Sequence, residues 1–309
     1  MKVKLSMEWL SVCGGCDVAM ADLHENLLEV LTAVEICRWP VLMDTKEYPE
    51  ADIGIISGGI RSSHDREAAE KMRKSCKSVI ALGTCAIYGG ISGAANAHTN
   101  EEIVETVYQR NDTTRNTGKI PDPAAGVPPL EKTVTPLDAV IDVDLYLPGC
   151  PPNAKYIFYA LKELLGGRRP DTHYQTVCAE CKRKMRKSEE TQLKRFLGNA
   201  PDDTLCFLSQ GYLCFGSTTL DRCGSPCPNK SMVCTGCAGP TVQILQEPNR
   251  DIRTELAERV SKLTKINKED VITEIEQNAK TYYAYSMASD MIGKKNTFLI
   301  KKWLKQERE

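Results

Sequence analysis

The chain has 309 residues, of which 40 are Lys or Arg and 41 are Asp or Glu, so its formal net charge is -1 at pH 7. A near-neutral chain of this kind gives no indication of a nucleic-acid-binding surface. No stretch approaches about 18 uninterrupted apolar residues, so no membrane span is expected. The length favours two domains rather than one.

The first half of the sequence alternates between strand-like and helix-like patterns. Apolar runs rich in β-branched residues predict five strands, at Val3–Leu10, Val34–Leu42, Ile53–Ile60, Val79–Leu82 and Ala139–Leu147. Helical patterns lie between or after them, at Asp17–Leu31, His64–Cys76 and Asn153–Leu165. This alternation predicts an α/β domain over residues 1–168, with a flavodoxin-like, doubly wound parallel sheet of strand order 2-1-3-4-5.

The rest of the chain is less regular. Residues 92–138 predict a long polar loop with a helical piece near Glu101–Arg110, which is either a subunit contact or flexible padding. Residues 169–240 have few regular patterns and are expected to form a domain organised by bound cofactors. Residues 241–309 predict a helical C-terminal extension, either solvated or in contact with a partner subunit. Its helices are predicted at Ile252–Leu263, Lys268–Ile292 and Lys294–Lys305.

The fourteen cysteines are the most informative feature of the sequence. Twelve of them sort into three sets of four, and each set has a spacing that suits one iron–sulfur cluster with four thiolate ligands. The other two, Cys37 and Cys76, are expected to be buried, inert thiols. The three sets, in chain order, are Cys13, Cys16, Cys85 and Cys150; Cys178, Cys181, Cys206 and Cys214; and Cys223, Cys227, Cys234 and Cys237.

Two other uses of cysteine fit the sequence less well. Disulfide frameworks are typical of short secreted chains, and Met1–Leu10 has no apolar run of the length that a signal peptide needs. Structural zinc is the stronger alternative, since C-x2-C pairs occur at 13/16, 178/181 and 234/237. Zinc modules usually carry two such pairs close together, whereas the first cysteine set draws on residues far apart, which favours a cluster.

The predicted fold brings the first cysteine set together. Cys13 and Cys16 follow the first strand, Cys85 follows the fourth in GTC, and Cys150 follows the fifth in PGCPP. Because open α/β sheets bind ligands at the carboxyl ends of their strands, these three loops are expected to converge on one site.

Two pairs of glycines fall near these loops. Gly58 and Gly59 follow the third strand, where they would let the backbone approach a cluster closely. Gly14 and Gly15, inside CGGC, would offer unobstructed amides to the sulfurs. Ordinary turn chemistry explains the same glycines equally well.

Four motifs occur in a fixed order: CGGC near the N-terminus, then SGGI, GTCAIYGG and LPGCPPN. Together with the spacing of the eight later cysteines, they resemble the small subunit of NiFe hydrogenases over about residues 1–240. Within that family, the sequence is most similar to the small subunit of the methyl-viologen-reducing hydrogenases of methanogens. Those enzymes do not reduce the deazaflavin coenzyme, and they associate with heterodisulfide reductase.

The resemblance implies a role for each cysteine set. The chain would carry three 4Fe-4S clusters and pass electrons from hydrogen oxidation through a proximal, a medial and a distal cluster. The catalytic NiFe centre would lie in a large subunit, and further partners would be an iron–sulfur acceptor subunit and a heterodisulfide reductase. The implied ligands are Cys13, Cys16, Cys85 and Cys150 for the proximal cluster, Cys223, Cys227, Cys234 and Cys237 for the medial cluster, and Cys178, Cys181, Cys206 and Cys214 for the distal cluster.

Two of these ligands depart from the better-known respiratory members of the family. Cys178 stands where many relatives have a histidine, and Cys227 stands where many have a proline and a 3Fe-4S medial cluster. An additional thiolate adds negative charge and is expected to lower the potential of its cluster. Such a relay suits a low-potential acceptor, for example a ferredoxin or a bifurcating flavin. His173 lies five residues before Cys178 and is not expected to be a ligand.

Two alternatives within the same broad class stay open. The first is the small subunit of a deazaflavin-reducing hydrogenase. The second is a cluster subunit of a complex-I-like oxidoreductase, but such subunits usually share only the proximal-type domain, and the eight later cysteines argue against it. The sequence has no twin-arginine leader of the kind that exported relatives carry, so a cytoplasmic location is expected.

Overall fold

The computed structural model describes residues 2–112, 119–171, 175–196, 200–247 and 250–289. These residues form two compact units, the first from Met1–Arg168 with Tyr285–Ser289 and the second from Arg169–Ala284. The helix predicted at Lys294–Lys305 lies outside the described residues. No helix in the described part of the chain is long and apolar enough to cross a membrane.

The first unit is built on a parallel sheet of five strands in the order β2-β1-β3-β5-β7. Counted within this sheet alone, the order is 2-1-3-4-5, so the predicted α/β fold and its flavodoxin-like strand order are confirmed. A second sheet pairs β4 with β6 in antiparallel orientation. The strands are β1 (Val3–Trp9), β2 (Val34–Arg38), β3 (Ala51–Ser57), β4 (Ile60–Ser62), β5 (Cys76–Leu82), β6 (Leu130–Thr135) and β7 (Leu145–Leu147).

Helices flank the sheet in the first unit and pack on one another in the second. The helices of the first unit are α1 (Gly15–Ala21), α2 (Glu25–Ala33), α3 (Ser63–Ser75), α4 (Thr84–Tyr88), α5 (Asn100–Tyr108) and α6 (Ala154–Leu165). Those of the second unit are α7 (Val177–Glu180), α8 (Pro226–Asn229), α9 (Val242–Gln246), α10 (Ile252–Leu263), α11 (Lys268–Gln277) and α12 (Ala279–Tyr282).

The core of the first unit lies between the sheet and helices α1, α2 and α6. The inner strands are buried along most of their length, as expected for parallel strands that are covered on both faces. Met7 of β1 is paired with Ile55 of β3, Ile55 with Ile80 of β5, and Leu82 of β5 with Leu147 of β7. All five side chains are almost completely buried, and each such burial contributes about 1.5–3 kcal/mol.

The second unit has little regular structure before α10, as the sequence predicts for residues 169–240. An aromatic cluster anchors its irregular part: the Phe207 ring is buried, with the Tyr212 ring edge-on at 6.3 Å, and Phe196 lies 5.0 Å from Tyr212. The α10 helix begins with a capping box, in which Asp251 and Thr254 satisfy each other's backbone amides. Such a cap contributes about 1 kcal/mol.

Three predicted boundaries are wrong for identifiable reasons. The helix predicted at Asp17–Leu31 is two helices, because the chain turns at His24, where φ is 52°. The helix predicted at Lys268–Ile292, of which residues 290–292 lie outside the described part of the chain, is interrupted after Gln277, and only the short helix α12 follows. The Asn278 side chain donates to the last-turn carbonyl of Glu274 at 3.1 Å. That local hydrogen bond competes with continued helix.

The third error concerns the segment before the last strand of the main sheet. The strand predicted at Ala139–Leu147 is formed only by Leu145–Leu147, and a 3-10 turn occupies Leu137–Ala139. The polar region 92–138 contains the predicted helix, observed at Asn100–Tyr108, but also strand β6, which the sequence analysis missed. Three consecutive polar residues, Glu131, Lys132 and Thr133, interrupt the alternation of apolar and polar side chains that is typical of a strand, so hydrophobic pattern alone does not reveal β6.

Candidate iron–sulfur sites

The structure brings the four cysteines of the first set together at the carboxyl edge of the sheet. Cys13 and Cys16 follow β1, Cys85 lies in α4 directly after β5, and Cys150 follows β7. Burial raises the pKa of the Cys16 thiol, and negative charge on Cys85, Cys150 and Cys13 would raise that pKa further. Each of the three other sulfurs is therefore close enough to Cys16 to act on it electrostatically.

Backbone hydrogen bonds fix the loops that carry these cysteines. The amide of Thr84 donates to the carbonyl of Gly149 at 2.9 Å, which joins the loop after β5 to the loop after β7. The amide of Ser11 donates to the carbonyl of Gly59 at 3.1 Å, and the amide of Gly59 donates back to Ser11 at the same distance. Hydrogen bonds between neighbouring loops therefore fix the backbone that carries these cysteines.

Two glycines lie directly against cysteine sulfurs, and their lack of a side chain makes room for those sulfurs. A Cβ atom at Gly83 would lie 2.3 Å from the Sγ of Cys16, and a Cβ at Gly90 would lie 2.5 Å from the Sγ of Cys85. Both glycines have positive φ, 86° and 55° respectively, which disfavours other residues independently. Any side chain at either position would collide with a cysteine sulfur.

Of the four glycines considered in the sequence, Gly58 and Gly59 have a role other than the expected one, whereas Gly15 contacts a sulfur. A Cβ at Gly58 would meet the backbone of Ser11 at 2.9 Å, and one at Gly59 would meet the carbonyl of Cys85 at 3.2 Å, so both permit close packing of backbone rather than contact with a sulfur. In CGGC, the amide of Gly15 donates to the Sγ of Cys13 at 3.4 Å, as expected. Gly83 and Gly90 were missed, although both flank Cys85 in the GTCAIYGG motif.

A buried ion pair supports the strand that leads into the first site. Arg38 donates to the Glu8 carboxylate from Nε at 3.0 Å and from a terminal nitrogen at 2.5 Å. The Tyr48 hydroxyl donates to the same carboxylate at 2.9 Å, and the Arg38 guanidinium lies over the Tyr48 ring. Asp17, next to Cys16, is buried and accepts hydrogen bonds from Trp39 and Ser57, each at 3.3 Å.

The second cysteine set lies in the second unit. Burial raises the pKa of Cys178 to about 11, with Cys206 and Cys181 acting in the same direction and Arg259 against them. Burial also raises the pKa of Cys214 to about 12; Cys178 and Cys206 add to this effect, while the amides of Gly216 and Cys234 oppose it. All four members of this set therefore lie within electrostatic range of at least one other member.

The third set is brought together in part. Burial raises the pKa of Cys223, and Glu180 and then Cys237 act in the same direction. Burial also raises the pKa of Cys234, where Cys214 of the second set adds more to the effect than Cys237 does. Cys227 is exposed in the short helix α8, where its carbonyl accepts the amides of Lys230 and Met232. Three of the four cysteines thus form one group, and Cys227 lies on the surface.

The structure also shows where the two remaining cysteines lie and what it contains of disulfides and single-metal sites. Cys37 is half-buried in β2 and Cys76 is buried at the start of β5, both away from the three sets. No disulfide joins any of the fourteen cysteines. Among the described residues, no three His, Cys, Asp or Glu side chains are placed as ligands of a single metal ion. His173 lies outside the described residues.

The residues of the first two sites fit an iron–sulfur cluster. Each site offers four thiols, the number that the irons of a cubane require. In the first, Gly83 and Gly90 leave room against the sulfurs. In the second, a Cβ at Gly216 would lie 3.4 Å from the Sγ of Cys178 and 3.8 Å from that of Cys214. A backbone without side chains can therefore approach the sulfurs at both sites.

A protein family and a solved structure are similar to this chain. The family model of the NADH ubiquinone oxidoreductase 20 kDa subunit matches residues 13–164, which include the first cysteine set. One chain of the solved NAD+-reducing NiFe-hydrogenase in the H2-reduced state is 34% identical, with a TM-score of 0.53, and the alignment covers 56% of this chain and 97% of that chain.

Two curated relatives match a larger share of the sequence. One is a subunit of the F420-non-reducing hydrogenase of Methanothermobacter thermautotrophicus, which is 36% identical over 94% of this chain and 96% of the relative. The other is a subunit of the F420-non-reducing hydrogenase vhu of Methanocaldococcus jannaschii, which is 42% identical over 78% of this chain and 83% of the relative.

The chain therefore belongs to the family of NiFe hydrogenase small subunits. Within that family it is similar to the corresponding subunits of the F420-non-reducing hydrogenases of methanogens. It is an oxidoreductase subunit, and the NiFe catalytic site of these enzymes lies in the large subunit.

Proposed function

We propose that this chain is the electron-transferring small subunit of a cytoplasmic NiFe hydrogenase and that it carries three 4Fe-4S clusters. The observation that carries the proposal is the first site, where three loops from distant parts of the sequence bring four thiols together. Gly83 and Gly90 make room there for the sulfurs of Cys16 and Cys85, because a side chain at either glycine would collide with a sulfur. The family membership supplies the reaction, which is the reversible oxidation of hydrogen.

Each cysteine set has one proposed role. A 4Fe-4S cluster held by four thiolates can take up and release an electron at a potential set by its surroundings. The proximal cluster would be held by Cys13, Cys16, Cys85 and Cys150, the medial cluster by Cys223, Cys227, Cys234 and Cys237, and the distal cluster by Cys178, Cys181, Cys206 and Cys214. The proposed domains are residues 1–168 for the proximal cluster, residues 169–240 for the other two, and residues 241–309 as a helical extension.

The protein's own contribution is to position the thiols and to limit the access of water. Cys16, Cys214 and Cys234 are buried, so a cluster bound through them would be shielded on those sides. Cys13 is exposed at the carboxyl edge of the sheet, which suits a site that faces another subunit. Hydrogen bonds to the sulfurs, such as that from the Gly15 amide to Cys13, are one of the influences that set the potential of a cluster.

The proposed partners follow from the order in which electrons would pass through the three clusters. A large subunit would carry the NiFe centre opposite the proximal cluster, and a further iron–sulfur subunit would accept electrons at the distal cluster. A heterodisulfide reductase is the proposed final acceptor complex, since the relatives that match nearly the whole of this chain are subunits of F420-non-reducing hydrogenases. Small subunits of deazaflavin-reducing hydrogenases and cluster subunits of complex-I-like oxidoreductases are the alternatives.

Metal analysis of the anaerobically purified chain tests the proposal. Three cubanes with four irons each correspond to roughly twelve irons and twelve acid-labile sulfides per chain. Nickel should be found only in preparations that contain the large subunit. Stoichiometric zinc, or about four irons per chain, would overturn the three-cluster assignment. The large subunit and acceptor that co-purify with the chain separate the alternatives.

A further inference from the structure

The six residues after Cys181 carry a concentration of positive charge. Segment 182–187 has the sequence KRKMRK, five cations in six residues, in a chain whose total charge is nearly balanced. Four of these side chains are exposed: Lys182, Lys184, Arg186 and Lys187. Among the described residues, none of the four has an acidic side chain within ion-pair distance.

The fifth cation, Arg183, fixes this segment on the protein. Its guanidinium lies 3.9 Å from the centre of the Phe207 ring. It donates to the carbonyls of Pro228 at 2.7 Å, of Asp202 at 2.6 Å and of Leu205 at 2.9 Å. Arg183 is thus fully used inside the unit, and it holds the segment against three other stretches of chain.

Backbone contacts hold the exposed cations close to the proposed distal cluster. The amide of Lys184 donates to the carbonyl of Thr204 at 2.8 Å, and the amide of Cys206 donates to the carbonyl of Lys184 at 2.9 Å. The amide of Arg186 donates to the Ser209 hydroxyl at 3.2 Å. The segment therefore begins at one proposed distal ligand, Cys181, and is hydrogen-bonded to a second, Cys206.

The acidic residues near the segment are occupied elsewhere. Asp203 accepts a hydrogen bond from the Ser231 hydroxyl, and Asp202 accepts the amides of Thr204 and Leu205 at 2.7 and 2.9 Å. Glu190 forms an ion pair with Lys194, and Glu189 lies 3.8 Å from Lys265. None of these carboxylates pairs with the four exposed cations of the segment, which therefore remain available to an anionic partner.

We propose that segment 182–187 is the docking surface for an acidic electron-transfer protein that presents carboxylates around its own redox centre. Complementary charges steer such partners together and orient them, while the contact stays weak enough for turnover. Met185, 55% exposed in the middle of the segment, offers an apolar contact to the partner between the flanking cations. A groove of about 320 Å³ runs alongside, lined by Lys182, Lys184, Arg186 and Asp203 among others. The inference rests on the proposed distal cluster beside this segment.

Binding measurements test this docking surface directly. The complex of this chain with its large subunit is titrated with a low-potential, acidic 4Fe-4S ferredoxin as the probe, at about 0.02 M and about 0.3 M salt. The wild-type complex should bind the ferredoxin more tightly at low salt. Combining Lys182→Glu, Lys184→Glu, Arg186→Glu and Lys187→Glu should weaken the low-salt Kd at least about tenfold and remove most of the salt dependence.

A control variant separates local charge from total charge. Lys74→Glu, Lys132→Glu, Lys155→Glu and Lys268→Glu reverse four exposed cations elsewhere, so the net charge changes equally and binding should stay as in the wild type. If the reversed segment prevents assembly, Lys184→Ala with Arg186→Ala should weaken binding about two- to fivefold.

Several results would overturn the proposal. These are equal weakening in both charge-reversed variants, no weakening in either, or wild-type affinity that does not respond to salt. Binding of the wild-type complex to anionic lipid vesicles or DNA, with no binding to the ferredoxin, would also overturn it. Iron content measured on the same samples keeps the two proposals separate. An iron deficit in the wild type contradicts the three-cluster function, whereas full iron with unaffected binding contradicts only the docking surface.

Discussion

The backbone amide of Cys234 donates a hydrogen bond to the Sγ of Cys214 at 3.3 Å. The two residues belong to different cysteine sets, one proposed to hold the medial cluster and the other the distal cluster. A hydrogen bond to a ligand sulfur stabilises negative charge on that sulfur and so shifts the potential of its cluster. The backbone of the medial set is thereby coupled to a sulfur of the distal set.

Replacement of Gly83 by alanine should remove the proximal cluster. The new methyl group would lie 2.3 Å from the Cys16 sulfur at a residue whose φ is 86°. The iron content should fall by roughly four per chain, from about twelve to about eight. Gly126→Ala is the matched control, since Gly126 has the same φ of 86° and a methyl group added there would meet nothing within 4 Å. Iron loss in both variants would assign the effect to backbone strain instead.

The two cysteines outside the sets should be dispensable for iron binding. Cys37→Ala and Cys76→Ala should each retain the full iron content of the wild type. The expected cost is about 1 kcal/mol in the free energy of unfolding, because a small packed side chain is shortened. The cost should be larger for Cys76, which is buried, than for the half-buried Cys37. A variant that lacks one cluster would show that the ligands are assigned wrongly.

Cys178→His should raise the potential of the distal cluster while keeping it a cubane. A neutral imidazole removes one negative charge from the site, which favours the reduced cluster. Electrons would then be retained at the exit, so transfer to a low-potential protein acceptor should slow more than reduction of a small dye. A redox titration followed by electron paramagnetic resonance measures the shift. An unchanged or lower distal potential would contradict the view that Cys178 adapts the chain to a low-potential partner.

Loss of the buried ion pair between Glu8 and Arg38 should lower the free energy of unfolding strongly, although neither residue is a proposed cluster ligand. Arg38→Met leaves the Glu8 carboxylate without its cation in a buried position, which costs about 3–5 kcal/mol. Chemical unfolding should show a lower midpoint. Lys77→Met breaks an exposed ion pair with Asp52 and should leave the midpoint nearly unchanged. Equal shifts in the two variants would mean that the Glu8 carboxylate is less confined than the structure indicates.

The sequence predicts the strands and the convergence of the first cysteine set because both depend on local patterns and on one topological rule. Apolar runs mark the parallel strands, and the carboxyl ends of such strands meet along one edge. The crowding of Gly83 against Cys16 is different, since it joins residues far apart in the sequence. The GTC motif marks Gly83 as unusual, but only the folded chain shows which sulfur lies opposite it.

Other features escaped prediction because their causes are local and conformational. The interruption before α2 occurs at His24, where nothing in the sequence is a strong helix breaker. Strand β6 is mostly polar and, within the described ranges, pairs only with the three-residue strand β4, so its existence depends on its partner. In the second unit, hydrogen bonds from Arg183 and the aromatic cluster around Phe207 take the place of regular secondary structure.

The outer strand of the main sheet, β7, is only three residues long. Just before it, the Asp144 carboxylate accepts the amide of Val79 at 2.7 Å and a hydrogen bond from Arg73 at 2.6 Å. The Asp144 side chain thus pairs with the backbone of β5 at the position that a longer β7 would have occupied. Short edge strands with charged side chains beside them disfavour the addition of a strand from another molecule to the sheet. The outer edge of β7 therefore offers only a short stretch of backbone to a strand of another molecule, which disfavours aggregation through this edge.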